Sequence, residues 1–566
     1  MLPCYTVAAM LMAATGQASN GLMIHLYPGM PALTLPGTPL LNEPVPDADL
    51  VKPGAAIEPE KPGAWVFSPG QQVRFTLKPA KADVADRLQL TVWNWNNVPV
   101  VTTSVAGAGN HALRFDVTGN GTYLLTLDGS LNGKCVFRMA RSFSVCPDNQ
   151  PLIKKWAFDQ FFIGTCSFPA RQSWSNKFGT ATCPGLTPAQ SADLDAERSA
   201  RMGLQVVRID ALAGTAGKDD PDGKGWLDAP GTDSCVKALT SRGIKLDLQL
   251  WGPAPVLKQY EKATDPLWRY PRLEGPYRAY IREAASRYAK DSAFIEIGNE
   301  PDNLDFWHGT PQECIAQHKC AVEEIRKVAP KAVLANGGYC LMKPEWTPIL
   351  ASGFKGTTDL IAYHSHGDLP ALKKSFAEIS RLHSAAGYAS PRYINTEMGW
   401  AAWRLDQEQN QATTALQKTL YCWAHGHRGA LLYSSRDVGG PRMKTGDEVD
   451  WGYSDHFFCP RFAYGALSAL INTLAGARFK SIAVETDNLH VYMFDSGGKT
   501  VVCAFTVKDE KAVILDTEAE GEKPLLYDAM GNVGPLRLTA GTAVLHVGQY
   551  PVIAVFPGGS KVTVRQ

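Results

Sequence analysis

Two glutamates, each associated with an apolar run, are the residues whose type and position point most directly to chemistry. Glu300 follows the run 293–298 and precedes Pro301, and Glu397 lies within a similar run that begins at Tyr393. Because proline has no N–H to give to a β-ladder, the first strand is expected to end where Glu300 appears. Strand ends and the loops after them line the sites of α/β barrels, so we expect the two carboxylates to meet in one pocket.

Such a pair can hydrolyse a glycosidic bond, with one carboxyl group protonating the leaving oxygen and the other facing the oxocarbenium-like carbon. A separation of about 5–5.5 Å between the carboxyl groups predicts retention through a covalent intermediate, and about 6.5–9.5 Å predicts inversion. The nucleophile must stay ionised, which requires a nearby cation or hydrogen-bond donors. Arg208, in the run 204–210, is the candidate cation. The alternative for Arg208 is a structural ion pair with Asp210 or Asp247.

The clan A retaining glycoside hydrolases have motifs similar to two segments of this chain, 298–301 (Gly-Asn-Glu-Pro) and 396–400 (Thr-Glu-Met-Gly-Trp). That clan groups β-xylosidases, β-glucosidases, endoglucanases and β-glucuronidases on a (β/α)8 barrel. The resemblance implies that Glu300, on the fourth barrel strand, is the acid/base and that Glu397, on the seventh, is the nucleophile. It also implies that Asn299 holds the 2-hydroxyl of the substrate.

The sixth strand departs from the pattern of these enzymes. Relatives often carry His-x-Tyr there, with the tyrosine touching the nucleophile, and they often have an arginine at a position like that of Arg208. This chain has His364 at the first position of the motif and His366 where the tyrosine is expected, which leaves the role of His366 open. A His-x-His pair can also bind metal, but no third ligand follows at suitable spacing. We therefore expect no metal and no cofactor.

Several aromatic residues are predicted at strand ends or in rim loops, where a ring can stack on a sugar face. They are Trp251, Trp400, Tyr433 and Trp451. Packing within the core is an equally plausible role for each. Glu296 shares a strand face with Glu300 but lies four residues earlier, so a structural role deeper in the barrel is expected.

The predicted fold class is α/β, a (β/α)8 TIM barrel flanked by an N-terminal and a C-terminal antiparallel β-sandwich. Residues 61–147 contain alternating runs between turn signals, which predict the first sandwich. Residues 150–476 alternate strands with helices and predict the barrel, and 477–566 return to alternating runs and predict the second sandwich. Residues 20–60 form a lead-in rich in proline and glycine.

Residues 1–19 contain an apolar run that is too short to span a bilayer, and they resemble a signal peptide without its positively charged start. We therefore expect a secreted or periplasmic protein. No later apolar run is long enough for a membrane span. If the protein is exported, neighbouring cysteines can pair, although free buried cysteines are the favoured state. The candidate pairs are Cys314 with Cys320, Cys135 with Cys146 and Cys166 with Cys183.

Eight apolar runs account for the barrel strands and place Glu300 after the fourth and Glu397 in the seventh. They are 161–165, 204–210, 244–251, 293–298, 332–337, 360–366, 393–400 and 430–435. Thr187 is a suitable N-cap for the first helix, with Pro188 in its first turn. The spacing of apolar residues predicts further helices over 277–288 and 461–474.

Composition narrows the range of partners. With 56 Lys and Arg against 55 Asp and Glu, the net charge is +1, which gives no basic surplus for nucleic acid or an anionic membrane. An oligosaccharide or polysaccharide is the expected partner. The leading hypothesis is a retaining hydrolase of a β-linked glycan. The alternatives are the same chemistry on an α-L-arabinofuranoside or a uronic-acid-containing glycan, and a barrel that binds glycan without turnover.

Overall fold

The computed structural model describes most of the chain from residue 55 onward. The described ranges are 22–24, 33–35, 55–79, 85–96, 98–156, 160–167, 186–211, 226–227, 229–251, 274–303, 306–307, 309–402, 405–437, 451–455, 457–518 and 523–565. The predicted signal peptide, most of the lead-in and Cys183 lie outside them. Two short strands, β1 (Leu22–Ile24) and β2 (Leu33–Leu35), pair within the lead-in.

Eight parallel strands form the predicted barrel. They are β11 (Phe162–Cys166), β12 (Val206–Asp210), β13 (Lys245–Leu250), β14 (Ser292–Ile297), β15 (Leu334–Asn336), β16 (Ile361–His364), β17 (Tyr393–Met398) and β18 (Gly429–Leu432). Their order in the sheet is β15-β14-β13-β12-β11-β18-β17-β16. Parallel bridges from Ala335 to Leu360 and from Tyr339 to Tyr363 join β15 to β16 and close the sheet. Each overlaps one of the eight predicted runs, so the predicted barrel is confirmed.

Helices cover the outside of the barrel. They are α1 (Pro188–Met202), α2 (Ala229–Thr240), α3 (Glu274–Tyr288), α4 (Pro311–Val328), α5 (Thr347–Phe354), α6 (Leu369–Ala385), α7 (Leu405–Ala424) and α8 (Phe462–Leu474). Thr187 caps α1 as predicted, because its hydroxyl accepts from the backbone N–H of Gln190 while the Gln190 side chain accepts from the Thr187 N–H. Thr310 and Glu313 form the same capping box on α4.

Alternation along the strands creates two layers inside the barrel. The lower layer is apolar and contains Phe162, Val206, Phe294, Ala335, Leu360, Ala362, Ile394 and Leu431. Two residues further along four of these strands lie Arg208, Glu296, His364 and Thr396, all buried. The chain therefore changes from an apolar core to a polar cluster within one step toward the carboxyl ends of the strands.

The N-terminal sandwich has eight strands, β3 (Ala55–Pro59), β4 (Val66–Phe67), β5 (Val73–Pro79), β6 (Arg87–Trp93), β7 (Pro99–Ala106), β8 (His111–Phe115), β9 (Gly121–Leu131) and β10 (Lys134–Val145). A five-stranded sheet, ordered β4-β10-β9-β6-β7, packs against a three-stranded sheet, ordered β3-β5-β8. Strand β3 belongs to the sandwich because it pairs with β5, although it precedes residue 61, where the sandwich was predicted to begin.

The strands of the C-terminal sandwich are β19 (Arg478–Glu485), β20 (Leu489–Ser496), β21 (Lys499–Thr506), β22 (Lys511–Thr517), β23 (Leu525–Tyr527), β24 (Val533–Pro535), β25 (Thr542–Val547), β26 (Val552–Gly558) and β27 (Val562–Arg565). They form a six-stranded sheet, ordered β19-β20-β21-β26-β23-β24, and a three-stranded sheet, ordered β25-β22-β27. Together with the first sandwich, it confirms the predicted fold class.

Side chains join the three domains. The Trp423 ring on α7 packs edge-on against Phe494 of the C-terminal sandwich, with ring centroids 4.9 Å apart. The Asn532 side chain accepts from the Asn120 N–H and donates to the Asn120 carbonyl, which ties the two sandwiches together. The cysteines within the described ranges are free, so Cys314 is not bonded to Cys320, nor Cys135 to Cys146. None of the described helices combines the length and apolar character that a bilayer crossing requires.

Candidate active site

Four barrel strands bring charged side chains to the carboxyl end of the barrel. Arg208 lies on β12, His364 ends β16 and Glu397 lies on β17, while Glu300 follows β14. The backbone of Glu300 has a φ of 41°, a left-handed conformation that is uncommon outside glycine, and Gly298 has a φ of 89°. These two residues turn the chain sharply at the end of β14, where the sequence predicted the strand to end.

The direction of Glu397 depends on an irregularity in β17. Strict alternation would place Glu397 and Thr396 on opposite faces of the sheet. The pairing of β17 with β18 shifts register between Asn395 and Met398, and such irregularities re-aim side chains. As a result, Thr396 donates to Glu296 inside the barrel over 3.1 Å, and Glu397 also reaches inward.

Arg208 is the centre of the polar cluster and is 1% exposed. Its Nη1 donates to Oε1 of Glu397, and its Nε donates to Oε2 of Glu296 over 2.6 Å. Its Nη2 donates to Oδ1 of Asn299 over 2.9 Å. The structural alternative predicted for this residue is partly realised, because Asp247 lies 3.7 Å from Nε. Arg208 therefore pairs with the candidate nucleophile and with structural carboxylates at the same time.

The environment of Glu397 favours its ionised form. Burial by itself would raise the pKa of Glu397, but the positive charges of His364 and Arg208 outweigh burial and hold that pKa well below its usual value. His366 adds a third contact, with Nε2 lying 3.6 Å from Oε2 of Glu397. A buried carboxylate that stays ionised is the state that a nucleophile requires.

Glu300 shares His364 with Glu397 and has Asn303 as a second partner. Its Oε1 lies 2.8 Å from Nδ1 of His364, and its Oε2 accepts from Nδ2 of Asn303 over 2.7 Å. Burial opposes a charge on the His364 ring, but the Glu397 carboxylate and the hydrogen bond to Glu300 outweigh it and raise the pKa of His364. Gly338 makes room for this ring, since a Cβ atom there would lie 2.3 Å from Nε2 of His364.

Asn299 is oriented by its oxygen. The Oδ1 atom accepts from Arg208 and from Nε2 of Gln249, each over 2.9 Å. Because both donors approach the same amide oxygen, the amide NH2 group of Asn299 points away from them. Asn299 is 8% exposed, so this NH2 group lies at the edge of the pocket.

Aromatic rings form a wall beside His366. The His366 ring lies edge-on to Trp451, with centroids 4.9 Å apart, and to Tyr433, at 5.7 Å. Trp400 is half-buried and lines a cavity with Tyr433 and Trp451. Of the predicted stacking residues, Trp400, Tyr433 and Trp451 are thus grouped on the Glu397 side.

Trp251 lies apart from that wall. It is 8% exposed, and its ring packs edge-on against Phe306 with centroids 5.8 Å apart. Its contact with Phe306 fits the packing role that the sequence left open. Asp302, just after Glu300, accepts from the backbone N–H groups of Cys340 and Met342 and so holds the loop after β15.

The sequence interpretation missed some residues of the cluster and placed others correctly. Glu296 has the predicted structural position, because it accepts from Arg208, Thr396 and the backbone N–H of Gly338. Gln249 was missed, although the alternation of polar and apolar residues along 245–250 placed it on the inner face. Asn303 was also missed, because a single amide in a loop carries no pattern.

The two glutamates share one pocket. One oxygen of Glu300, one oxygen of Glu397 and one ring nitrogen of His366 all lie within 4.8 Å of one another. Carboxyl oxygens this close are compatible with the short carboxyl separation of retaining glycosidases. The same three groups are close enough to share a metal ion, but Arg208 and His364 already contact the carboxylates.

The lowered pKa of Glu397 predicts a pH-dependent contribution to stability. A carboxyl group whose pKa is lower in the folded state stabilises the fold above its unfolded pKa of about 4.3, and the contribution is lost as the pH falls. We therefore expect Glu397→Gln to lower the thermal unfolding midpoint near pH 7 more than near pH 3. Measurement of both proteins across this range tests the prediction, and an equal difference at all pH values would contradict it.

Comparison with known proteins gives matches in structure but not in sequence. No family model and no curated protein matches the sequence. Among solved structures, the chain is similar to a family 39 glycoside hydrolase from Bacteroides cellulosilyticus WH2, with 18% identity and a TM-score of 0.66, over 89% of this chain and 100% of that one. It is also similar to a glucosidase from Croceicoccus marinus, with 12% identity and a TM-score of 0.50, over 72% of this chain and 100% of that one.

At these identities the likeness concerns the fold. It extends over the whole of the family 39 structure and covers most of this chain. It thereby confirms, for the fold, the resemblance that the two glutamate motifs predicted. The chain has the fold of a barrel-type glycoside hydrolase with accompanying β-sandwiches.

Proposed function

We propose that the protein is a retaining glycoside hydrolase that cleaves a β-linked glycan by double displacement, with Glu300 as the acid/base and Glu397 as the nucleophile. The observation that carries this proposal is the proximity of the two carboxylates, within 4.8 Å, in unlike surroundings. Both carboxylates contact His364, but Glu397 is paired with Arg208, whereas Glu300 accepts from the amide of Asn303. The solved structures with the same fold are those of a family 39 glycoside hydrolase and a glucosidase, which supports the reaction class.

In the first step, Glu300 protonates the glycosidic oxygen while Glu397 attacks the anomeric carbon, so that the leaving group departs with the proton. In the second step, the ionised Glu300 removes a proton from water, which displaces Glu397 from the sugar. The net result is hydrolysis with retention of configuration. Asn299 presents its amide NH2 group to the pocket, where it can donate to the 2-hydroxyl of the sugar.

His364 can hydrogen-bond Glu300 in both steps. The raised pKa of His364 favours the ring with both nitrogens protonated. Nδ1 then donates to the carbonyl oxygen of protonated Glu300 in the first step and to its carboxylate in the second. The 2.8 Å contact can therefore persist while Glu300 changes from acid to base.

Product stereochemistry is the direct test of this proposal. The protein is incubated with aryl β-glycosides, aryl α-L-arabinofuranosides and aryl uronides, and the first anomer released is identified by proton NMR. Retention on a β-glycoside is expected. Turnover of only the arabinofuranoside or the uronide would move the substrate class and keep the mechanism. An inverted product would overturn the mechanism, and binding without turnover would identify a glycan-binding barrel.

Replacement of the acid/base is expected to separate the two steps. Glu300→Ala should retain the first step on dinitrophenyl glycosides, whose leaving group needs no proton, and should slow the second step by roughly 10²–10⁴-fold. Because the glycosyl-enzyme then accumulates, kcat and KM should fall together. On glycosides with a poor leaving group, the first step should slow as well. Steady-state kinetics on both substrates check this, and an equal loss of kcat/KM on both would contradict the acid/base role of Glu300.

A further inference from the structure

The turn that carries His366 is fastened to β17. The Ser365 N–H donates to the Glu397 carbonyl over 2.9 Å, and the Gly367 N–H donates to the Gly399 carbonyl over 3.0 Å. The two neighbours of His366 are thus hydrogen-bonded to the backbone at the end of β17, at Glu397 itself and two residues after it. Their carbonyl groups point the other way, toward α7.

Lys418 on α7 donates hydrogen bonds to both of these carbonyls. Its Nζ donates to the Ser365 carbonyl and, over 3.2 Å, to the Gly367 carbonyl. Lys418 is 1% exposed, and burial lowers its pKa to about 7, although Cys422 and Asp368 oppose the shift. An ammonium has three N–H donors and a neutral amine has two, so either form can satisfy both carbonyls.

His366 occupies the side of Glu397 that Arg208 leaves open. Arg208 contacts Oε1 of Glu397, and Nε2 of His366 lies 3.6 Å from Oε2. This separation is slightly longer than a hydrogen bond, and such contacts often shorten when substrate binds. Trp451 and Tyr433 flank the ring, and the turn 365–367 sets the position of the His366 backbone from which the ring reaches Glu397.

We propose that Lys418 is a positioning residue that acts on Glu397 through His366, an inference that rests on the proposed hydrolase function. Lys418 holds the two carbonyls that flank His366, and His366 in turn directs Nε2 at the second oxygen of the nucleophile. An apolar side chain at this position would leave the two carbonyls without a donor, so Lys418 also stabilises the turn. The positioning role is distinguished from this structural one by its dependence on His366. A loss of Lys418 should therefore be felt in catalysis through His366.

A double-mutant cycle tests this connection. kcat and KM are measured on one aryl glycoside for the wild type, Lys418→Met, His366→Phe and the double variant. Each single variant is expected to lose roughly 10- to 100-fold in kcat with a smaller change in KM. The double variant is expected to match His366→Phe within about twofold, because residues that act through one another are not additive. The proposal would be overturned if the kcat loss of the double variant equalled the product of the two single losses, or if kcat were unchanged in Lys418→Met.

Gln417 supplies the matched control. It is adjacent on α7, is 5% exposed, and its Nε2 also donates to two backbone carbonyls, those of Thr506 and Gln549 in the C-terminal sandwich. Gln417→Met is expected to lower the thermal unfolding midpoint without changing kcat. An equal loss of kcat in Gln417→Met would show that any damage to α7 suffices and would also overturn the proposal.

The outcomes separate this inference from the proposed function. A wild type that turns over no glycoside refutes the hydrolase itself. A wild type that hydrolyses glycosides while the cycle is additive refutes only the role of Lys418. If Lys418→Met does not fold, Lys418→Gln, which keeps a donor of shorter reach, takes its place in the cycle with the same criterion.

Discussion

Glu397→Ala is expected to lower kcat on aryl glycosides by about 10⁴-fold or more, since removal of a nucleophile leaves only binding and the acid to act. The substitution also opens space beside the anomeric carbon. Added azide should therefore restore turnover of an activated aryl glycoside and release a glycosyl azide of inverted configuration, because a single displacement replaces two. Kinetics with and without azide, together with NMR of the product, measure both effects.

Glu378→Ala is the matched control for this experiment. Glu378 is a glutamate on α6 that forms a surface ion pair with Arg381. The Glu378→Ala variant should leave kcat unchanged, because exposed ion pairs contribute little to stability. A Glu397→Ala protein that keeps more than a tenth of the wild-type kcat would remove Glu397 from the mechanism.

Arg208→Met is expected to damage both folding and catalysis. It would leave Glu296 and Glu397 without the guanidinium that now contacts both, and breaking a buried ion pair by removing one partner costs about 3–5 kcal/mol. The pKa of Glu397 should rise when this cation is lost, so a smaller fraction of the nucleophile is ionised. We expect kcat to fall by about 10²–10³-fold, with a markedly lower unfolding midpoint.

Two comparisons locate the cause of that loss. Arg381→Met, which breaks the exposed pair with Glu378, should leave the unfolding midpoint nearly unchanged. Adding Glu397→Gln to Arg208→Met should recover part of the lost stability, because one of the unpaired buried charges is then removed. If the double variant is less stable than Arg208→Met, the unpaired charge is not the cause.

The parts of the fold that the sequence predicted correctly are those with a strong period. The apolar run before Glu300 could hardly be anything but a buried strand, and eight such runs in sequence with helices between them specify a parallel barrel. The strand Ala55–Pro59 was assigned to the lead-in because its five residues, the last of them a proline, are too few to show alternation. Its pairing with β5 is a tertiary fact that no local pattern contains.

The site was predictable to the extent that it depends on strand position. Arg208, Asn299 and Glu397 were identified because they lie at strand ends, which converge in a barrel. The contacts of His366 and Lys418 were not predictable, because they join a loop to a helix more than fifty residues away in the chain. The inward direction of Glu397 beside Thr396 was also hidden, since strict alternation predicts that only one of these two residues faces the site.

Helix α7 has a consequence for how this molecule can be divided. One of its residues, Lys418, donates to the loop 365–367 beside Glu397, and its neighbour, Gln417, donates to the C-terminal sandwich. The sandwich is thus not an appendage that can be exchanged freely, as a tethered carbohydrate-binding module can. A chimera that transplants this barrel onto another scaffold has to carry a replacement surface for Thr506 and Gln549, or the helix that frames the pocket loses its outer support.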